Sequence, residues 1–449
     1  MRQYTSSYSA HASLAVVGNA MRQMHIWEEV EAAVDIHQKT VKHRPLDKLK
    51  DAFVTILAGG QGMVEVNTRL RADRGLQQAF GRSRCAEQSS VSQTLNRCTH
   101  ETVSQMKGVL RQLYQRHSQG YRHDYQQRWQ LLDVDLSGLP GGRQGEGVSK
   151  GYFAGRPHCR GRQLGRVLAT HYDEIVNDCL YEGRRQLSQS VQSLIEESEQ
   201  VLSLDLPKRQ RTLVRIDSGG GQDKDINWLL ERGYEILIKM HSGTRATKLA
   251  RTVTAWEDDP KSARRQVALL PVGHPYLKPT QQVAVRVPKA DGTWAYSVVV
   301  CTAPIALLRE LTGHRIDTPT DHVLAIAHAY DLRGGGAETQ FKGDKQGLGL
   351  TKRHKQRFDA QEMLVLLAQL AHNLLIWLRS RLMAVDPRFQ HFGILRLVRD
   401  VGAISGQLHF DAYGHLVRLR LSRDHPLAGV LCRAFADRST DLRLILSKI

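Results

Sequence analysis

Two aspartates stand where apolar strands run out into small residues. Asp135 lies in Leu131-Leu132-Asp133-Val134-Asp135-Leu136, ahead of Ser137-Gly138. Asp217 closes Arg211-Thr212-Leu213-Val214-Arg215-Ile216-Asp217, ahead of Ser218-Gly219-Gly220-Gly221. A carboxylate at a strand end, beside glycines that allow close approach, suits a site facing a metal or a phosphate. Taken singly, each also suits an ordinary turn. Asp133 shares the strand face of Asp135, so alternation alone does not choose between them. A third acid, Glu338, follows Tyr330, Arg333 and Gly334-Gly335-Gly336. If Glu338 opens a helix, Lys342 and Lys345 lie four and seven residues on and share its face. One carboxylate in line with two ammoniums is a way to hold a cation and grip adjoining phosphates. A plain surface ion pair, worth about 0.3–0.5 kcal/mol, accounts for Glu338 and Lys342, but not for Tyr330 and Arg333 upstream.

The elements that must position these residues read as follows. Residues 1–118 are helical in pattern, and Ser89-Ser90-Val91-Ser92-Gln93-Thr94-Leu95 reads either as a Ser-capped, groove-facing helix or as an ordinary capped surface helix. The strand around Leu131 runs into a stretch with eight glycines between Gly138 and Gly161, mixed with Arg143, Lys150, Arg156 and Arg160. That composition suits a phosphate-facing loop or hairpin. Gly165–Thr170 reads as a strand, Leu187–Leu202 as an amphipathic helix, and Tyr234–Lys239 as a strand after a helix capped by Asp223 or Asp225. Strand, helix, strand at this spacing indicates an α/β sheet. Residues 241–320 turn β-rich, with strands near Val267, Val283 and Ala295. Asp359 and Glu362 form a candidate capping box before the apolar run Met363–Leu378. That run is short for a bilayer and is interrupted by Gln369, His372 and Asn373, so it reads as a buried core helix, with no membrane partner expected.

Composition narrows the partners. The 449 residues carry 63 Lys and Arg against 45 Asp and Glu, a formal net charge of +18. Such an excess favours a polyanion, because neutralising phosphates releases counterions. Six scattered cysteines with no CxxC pair argue against a disulfide framework and for a cytoplasmic setting. His158-Cys159 lacks a second pair with which to bind a metal. The polar first ten residues do not read as a signal peptide.

These motifs together resemble bacterial insertion-sequence transposases of the DDE type, in the branch with a Tyr-Arg-Glu-Lys signature. The matching residues are Tyr330, Arg333, Glu338 and Lys345, with the Arg-to-Glu gap one residue longer than in the family and Lys342 as an added ammonium. The resemblance extends to Asp135 in Leu-Asp-Val-Asp-Leu-Ser-Gly, to Asp217 in Arg-Ile-Asp-Ser-Gly, to the β-rich insertion, and to Ala371-His372-Asn373-Leu374-Leu375. It covers residues 125–385, and the helical N-terminus more loosely.

The resemblance implies an α/β fold: a ribonuclease H-like catalytic core with a β-rich insertion and a helical N-terminal DNA-binding domain. The expected segments are 1–118, the core at 119–240 and 321–385, the insertion at 241–320, and a C-terminal region at 386–449. It implies Asp135, Asp217 and Glu338 as catalytic, metal-binding carboxylates, with Asp135 preferred over Asp133. Tyr330, Arg333, Lys342 and Lys345 would bind DNA phosphates. Three carboxylates drawn together repel unless cations neutralise them. Two Mg2+ ions, with Mn2+ able to substitute, would serve water attack and then strand transfer through one site. The expected partners are double-stranded DNA, as element ends and target, and a second copy of the chain in a homodimer, at the bacterial nucleoid in the cytoplasm. Trp256 and Trp294 are candidates for stacking on an extruded base. Core or surface packing is the simpler reading of either one. Two other readings use the same residues: a nuclease without strand transfer, and a non-catalytic DNA-binding descendant.

Overall fold

The computed structural model describes residues 5–40, 42–156, 158–436 and 442–447. The chain forms two compact units. One comprises Met1–Ser118, Leu139–Ser149 and Gln340–Ile449, and the other Gln119–Gly138 and Lys150–Thr339.

The first unit carries helices Leu14–Gln23, Ile26–Ala33, Pro45–Leu57, Arg74–Ala79, Gln88–Leu95 and His100–His117. Of these, His100–His117, Pro45–Leu57 and Gln88–Leu95 pack on the Phe358–Val385 helix. That helix is long and apolar enough to cross a membrane by composition, but 94% of its most apolar stretch is buried inside the protein. It serves as the core of this unit. A four-stranded sheet joins Thr5–Ser9, Gly406–Phe410, Leu416–Ser422 and Arg443–Ser447 in that order. The segments 1–118 and 386–449 therefore both contribute strands to one sheet. Two expected caps are made differently. The Gln88–Leu95 helix starts at Glu87 with no side-chain cap of its own. The Asn67 side chain accepts from the Gln88 amide at 3.1 Å, so Ser89 is already inside the first turn. Glu362 caps nothing: it pairs with Lys107 at 2.9 Å, and the Phe358 amide donates to Glu146 at 2.7 Å.

The second unit is built on a ten-stranded sheet. Its strands are β1 (Gln130–Pro140), β2 (Ser149–Lys150), β3 (Arg160–Ala169), β4 (Glu174–Glu182), β5 (Thr212–Ile216), β6 (Glu235–Lys239), β7 (Glu257–Asp258), β8 (Gln266–Leu269), β9 (Gln281–Pro288) and β10 (Trp294–Cys301). The order is β2-β3-β1-β5-β6-β10-β9-β8-β7, with β4 also paired to β3. β1, β5 and β6 run parallel, while β3 and β4 are antiparallel. Parallel strands are buried on both faces, and Leu132, Val134, Leu213, Val214, Ile216, Leu237 and Ile238 are accordingly solvent-free.

The expected β-rich stretch exists, but it is not a separate sheet. β10 pairs antiparallel with β6, and β9, β8 and β7 follow, so the core sheet simply continues. The Pro319–Asp331 helix lies against this extension, burying Val323, Ile326 and Ala329 among Leu213, Leu237, Val283 and Val299. Burying each large aliphatic side chain stabilises the docking by about 1.5–3 kcal/mol. On the extension, the Arg286 guanidinium sits between Trp256 and Trp294, 4.3 and 4.4 Å from the two ring centroids. Both rings are half-buried.

Candidate active site

Asp133 and Asp135 lie two residues apart on β1 and have different environments. Asp133 is fully buried and opposes Arg215 of β5 in register. Arg215 donates to its two carboxylate oxygens at 2.6 and 2.9 Å and to the Ala329 carbonyl at 3.3 Å. The Asp133 carboxylate also presses on Gly336, where an added Cβ would come within 1.9 Å of Oδ2. Only glycine fits there, which explains one glycine of the Gly334-Gly335-Gly336 run.

Asp135 is instead directed to a cavity of about 720 Å³ that it shares with Asp217. The backbone fixes both carboxylates. Asp135 accepts from the Leu136 amide at 2.8 Å, and Asp217 from the Gly219 amide at 2.8 Å. The glycines after Asp217 allow a tight turn: a Cβ on Gly221 would lie 2.0 Å from the Lys239 carbonyl oxygen. His241 Nδ1 donates to the Ser218 carbonyl at 2.7 Å, holding the same turn from the far side.

Arg333, in the turn after the Pro319–Asp331 helix, lies 3.2 Å from Asp135. Its Nε is buried without a hydrogen-bond partner. Burial raises the Asp135 pKa to about 6, against the pull of Arg333 and with further repulsion from Asp217. For Arg333, burial lowers the guanidinium pKa, but Asp135 and Asp217 outweigh it and the net direction is up. Tyr330 at the helix end belongs to the same charge neighbourhood. Burial, opposed by Arg333 and joined by Asp217 and Asp135, pushes its hydroxyl to about 12. Four of the residues marked from sequence thus interact through one electrostatic field. Asp331 points away and pairs with Arg265 at 2.5 Å.

Glu338 does open a helix, Ala337–Gly347, and Lys342 and Lys345 follow at helical spacing on its side. Glu338 is exposed and is not among the described residues lining the cavity of Asp135 and Asp217. Lys342 is exposed, and the Lys345 ammonium lies 6.0 Å from the Phe341 ring centroid. Among the described residues no cluster of three or more His, Cys, Asp or Glu side chains is gathered as a metal site. Two hard carboxylates facing one cavity do fit a divalent cation of the Mg2+ type, which takes one or two carboxylates and keeps waters.

The cavity also exposes residues the sequence did not single out: Arg184, Arg185, Tyr152 and His241. They come from loops beyond β4, β2 and β6, and no local pattern links them to the aspartates. In the other unit, a cavity of about 690 Å³ lies beside the Gln88–Leu95 helix. Lys39, Lys42, Arg71, Arg84 and Arg97 line it, with Glu87 as the only carboxylate among its described lining residues.

Among curated proteins none matches this chain. Among solved structures the chain is similar to the piggyBac transposase in its cryo-EM synaptic complex with hairpin DNA. The TM-score is 0.47 and the identity 10%, over 89% of this chain and 82% of that one, which is too distant to carry weight. The family model described as Transposase DDE domain group 1 matches residues 5–439, nearly the whole chain, and the chain belongs to that family.

Proposed function

We propose that the chain binds the terminal inverted repeats of an insertion sequence, cuts DNA at those ends and joins them to a target in a Mg2+-dependent reaction. The observation that carries this reading is the pair Asp135 and Asp217, presented by neighbouring parallel strands to one cavity with Arg333 beside them. The strand order β4-β3-β1-β5-β6 supports a ribonuclease H-like core, and the diversion of Asp133 to Arg215 supports Asp135 as the first carboxylate. Bound Mg2+, two ions in this reading with Mn2+ able to substitute, would activate the attacking oxygen and stabilise the leaving one.

The chain's own residues do the rest. Asp135 and Asp217 hold the cation-binding oxygens in place through the Leu136 and Gly219 amides. Arg333 and Tyr330 stand where a scissile phosphate's charge would lie, the electrostatic role expected of them. Glu338 supplies the third carboxylate by turning in from the exposed first turn of its helix, with Lys342 and Lys345 gripping phosphates behind it. The cationic cleft beside the Gln88–Leu95 helix holds duplex backbone, with Ser90 and Gln93 facing the groove. Two ends must be brought together, so the active form is a homodimer on DNA.

The test is to incubate the full chain with Mg2+ and a supercoiled target, with intact element ends to read cutting and pre-cut ends to read joining. Joined products are expected from the natural chain, and Asp217→Asn should lower both cutting and joining by at least about 10³-fold with folding retained. Cutting without joining would leave a nuclease. Unchanged behaviour of Asp217→Asn would remove the assigned site altogether.

A further inference from the structure

The cavity is larger than a cation site requires, and its charge is uneven. Asp135 and Asp217 come from the central strands β1 and β5. The cations Lys150 and Arg184 come from the outer side, Lys150 on β2 and Arg184 just past β4. β1 and β4 are separated by β3, so the two ends of the cavity lie about two strand spacings apart, roughly 10 Å. A volume of about 720 Å³ is that of a site for a nucleotide-sized ligand, well beyond a hydrated ion.

The outer end is built and held. Gln163 of β3 is buried, and its side-chain amide donates to the Tyr152 carbonyl at 2.9 Å and to the Gly183 carbonyl at 3.2 Å. One buried amide therefore ties the Lys150–Tyr152 segment to the Gly183–Arg184 turn. The two backbones meet so closely that a Cβ on Gly151 would lie 1.8 Å from the Gly183 carbonyl oxygen. On this clamp, Tyr152 exposes 84% of its surface, a large aromatic face turned to solvent at the cavity. The partner of Arg184 is exposed Glu182 at 3.0 Å, a pair of the kind that contributes little and yields readily to a better anion.

We propose that this outer end is a seat for a single DNA strand leaving the aspartate pair. Lys150 and Arg184 take two backbone phosphates next to the reacting one, and the Tyr152 ring stacks on an unpaired base between them. Gln163 is the positioning residue that keeps both phosphate ligands at one spacing. The inference rests on the proposed DNA reaction at Asp135 and Asp217, and it adds the direction in which the strand runs, over β3 toward β4.

The experiment measures binding without turnover, using the full chain carrying Asp217→Asn, by fluorescence anisotropy over a KCl series. The probes are an oligo(dT) of about fifteen nucleotides and a blunt duplex of about twenty base pairs. Lys150→Ala with Arg184→Ala is expected to weaken oligo(dT) binding about tenfold and to lower its salt slope by about 1.4, the value for two single-strand phosphates. Tyr152→Ala should weaken it several-fold with the slope unchanged, because stacking releases no counterions. Gln163→Leu should reproduce the double variant's loss while leaving duplex binding intact. Duplex affinity should stay within twofold throughout. Equal weakening of both probes, or an unchanged salt slope in the double variant, overturns the seat. All three side chains of the surface variants are exposed, so a folding defect, read by circular dichroism, is not expected. The joining assay on the natural chain reports separately: a chain that neither cuts nor joins, yet shows these shifts, keeps the strand seat and loses the reaction.

Discussion

The interior of the core sheet and its open end treat the same side chains in opposite ways. Inside, Asp133 meets Arg215 and Asp178 meets Arg166, each pair facing across neighbouring strands in register. Both contacts are bidentate, at 2.6 and 2.9 Å and at 2.7 and 2.7 Å, and all four residues are buried. At the end of the sheet, Asp135 and Asp217 share a cavity, and the cation beside Asp135 is Arg333, at 3.2 Å with an unsatisfied Nε. Interior carboxylates are neutralised completely and become part of the scaffold. The carboxylates at the end are left with an excess of negative charge, and burial and mutual repulsion raise the Asp135 pKa to about 6. Incomplete compensation at a place built by well-compensated neighbours is what distinguishes a site from a scaffold here.

The sharpest way to break the comparison is to open an interior pair. Asp133→Asn leaves Arg215 charged and buried, and a loss of about 3–5 kcal/mol in urea-induced unfolding is expected. Asp133→Leu combined with Arg215→Met removes both charges, and most of that loss should return, since a buried pair is often no better than an apolar one. If the single variant is as stable as the natural chain, the interior pairs are not what holds β1 to β5.

The open end should respond with the opposite sign. A carboxyl whose folded pKa lies near 6, above its ordinary 3.8, binds an extra proton in the folded state between those values. Metal-free stability should therefore fall as pH rises from about 4 to 6 and level off above. The full shift corresponds to about 3 kcal/mol at neutral pH. Asp135→Asn removes the charge, and since the pull of Arg333 is already contained in the shifted pKa, a net gain of up to about 3 kcal/mol at pH 7.5 is expected. The gain should close by pH 4. Thermal melts in a chelator across that range check it, and a destabilised Asp135→Asn at neutral pH would mean that Arg333 compensates Asp135 as fully as Arg215 does Asp133.

The same contrast explains what could be read without the fold. Asp135 and Asp217 were legible because the signal is local: an apolar strand, an acid, then small residues. The strands β8, β9 and β10 were legible from their own apolar runs. β4 was not, since Asn177 and Asp178 interrupt its apolar pattern and the compensating Arg166 lies on another strand. The two helix starts failed alike: Asn67 and Glu146 supply the contacts expected of Ser89 and Asp359, and both are distant in sequence. That the β-rich segment extends the core sheet follows from the pairing of β10 with β6, which no reading of either strand reveals. Arg184 and Tyr152 were missed because only the clamp at Gln163 brings their loops together.

The smallest expected effect on stability belongs to Glu338, and it discriminates best between the two kinds of carboxylate. Its side chain is exposed at the first turn of a helix, where a negative charge gains a few tenths of a kcal/mol from the helix dipole. Glu338→Gln should therefore change unfolding free energy by less than about 0.5 kcal/mol, unlike any change at Asp133. If Glu338 turns in to join Asp135 and Asp217, the variant should still lose affinity for Mn2+, by about tenfold in a calorimetric titration, and lose joining activity with it. Stability and metal affinity then part company at this residue, as they must for a group whose folded-state partner is a cation and not the protein. Unaltered Mn2+ affinity would leave the aspartates as a two-carboxylate site and return Glu338 to the surface ion pair with Lys342 that its spacing also allows.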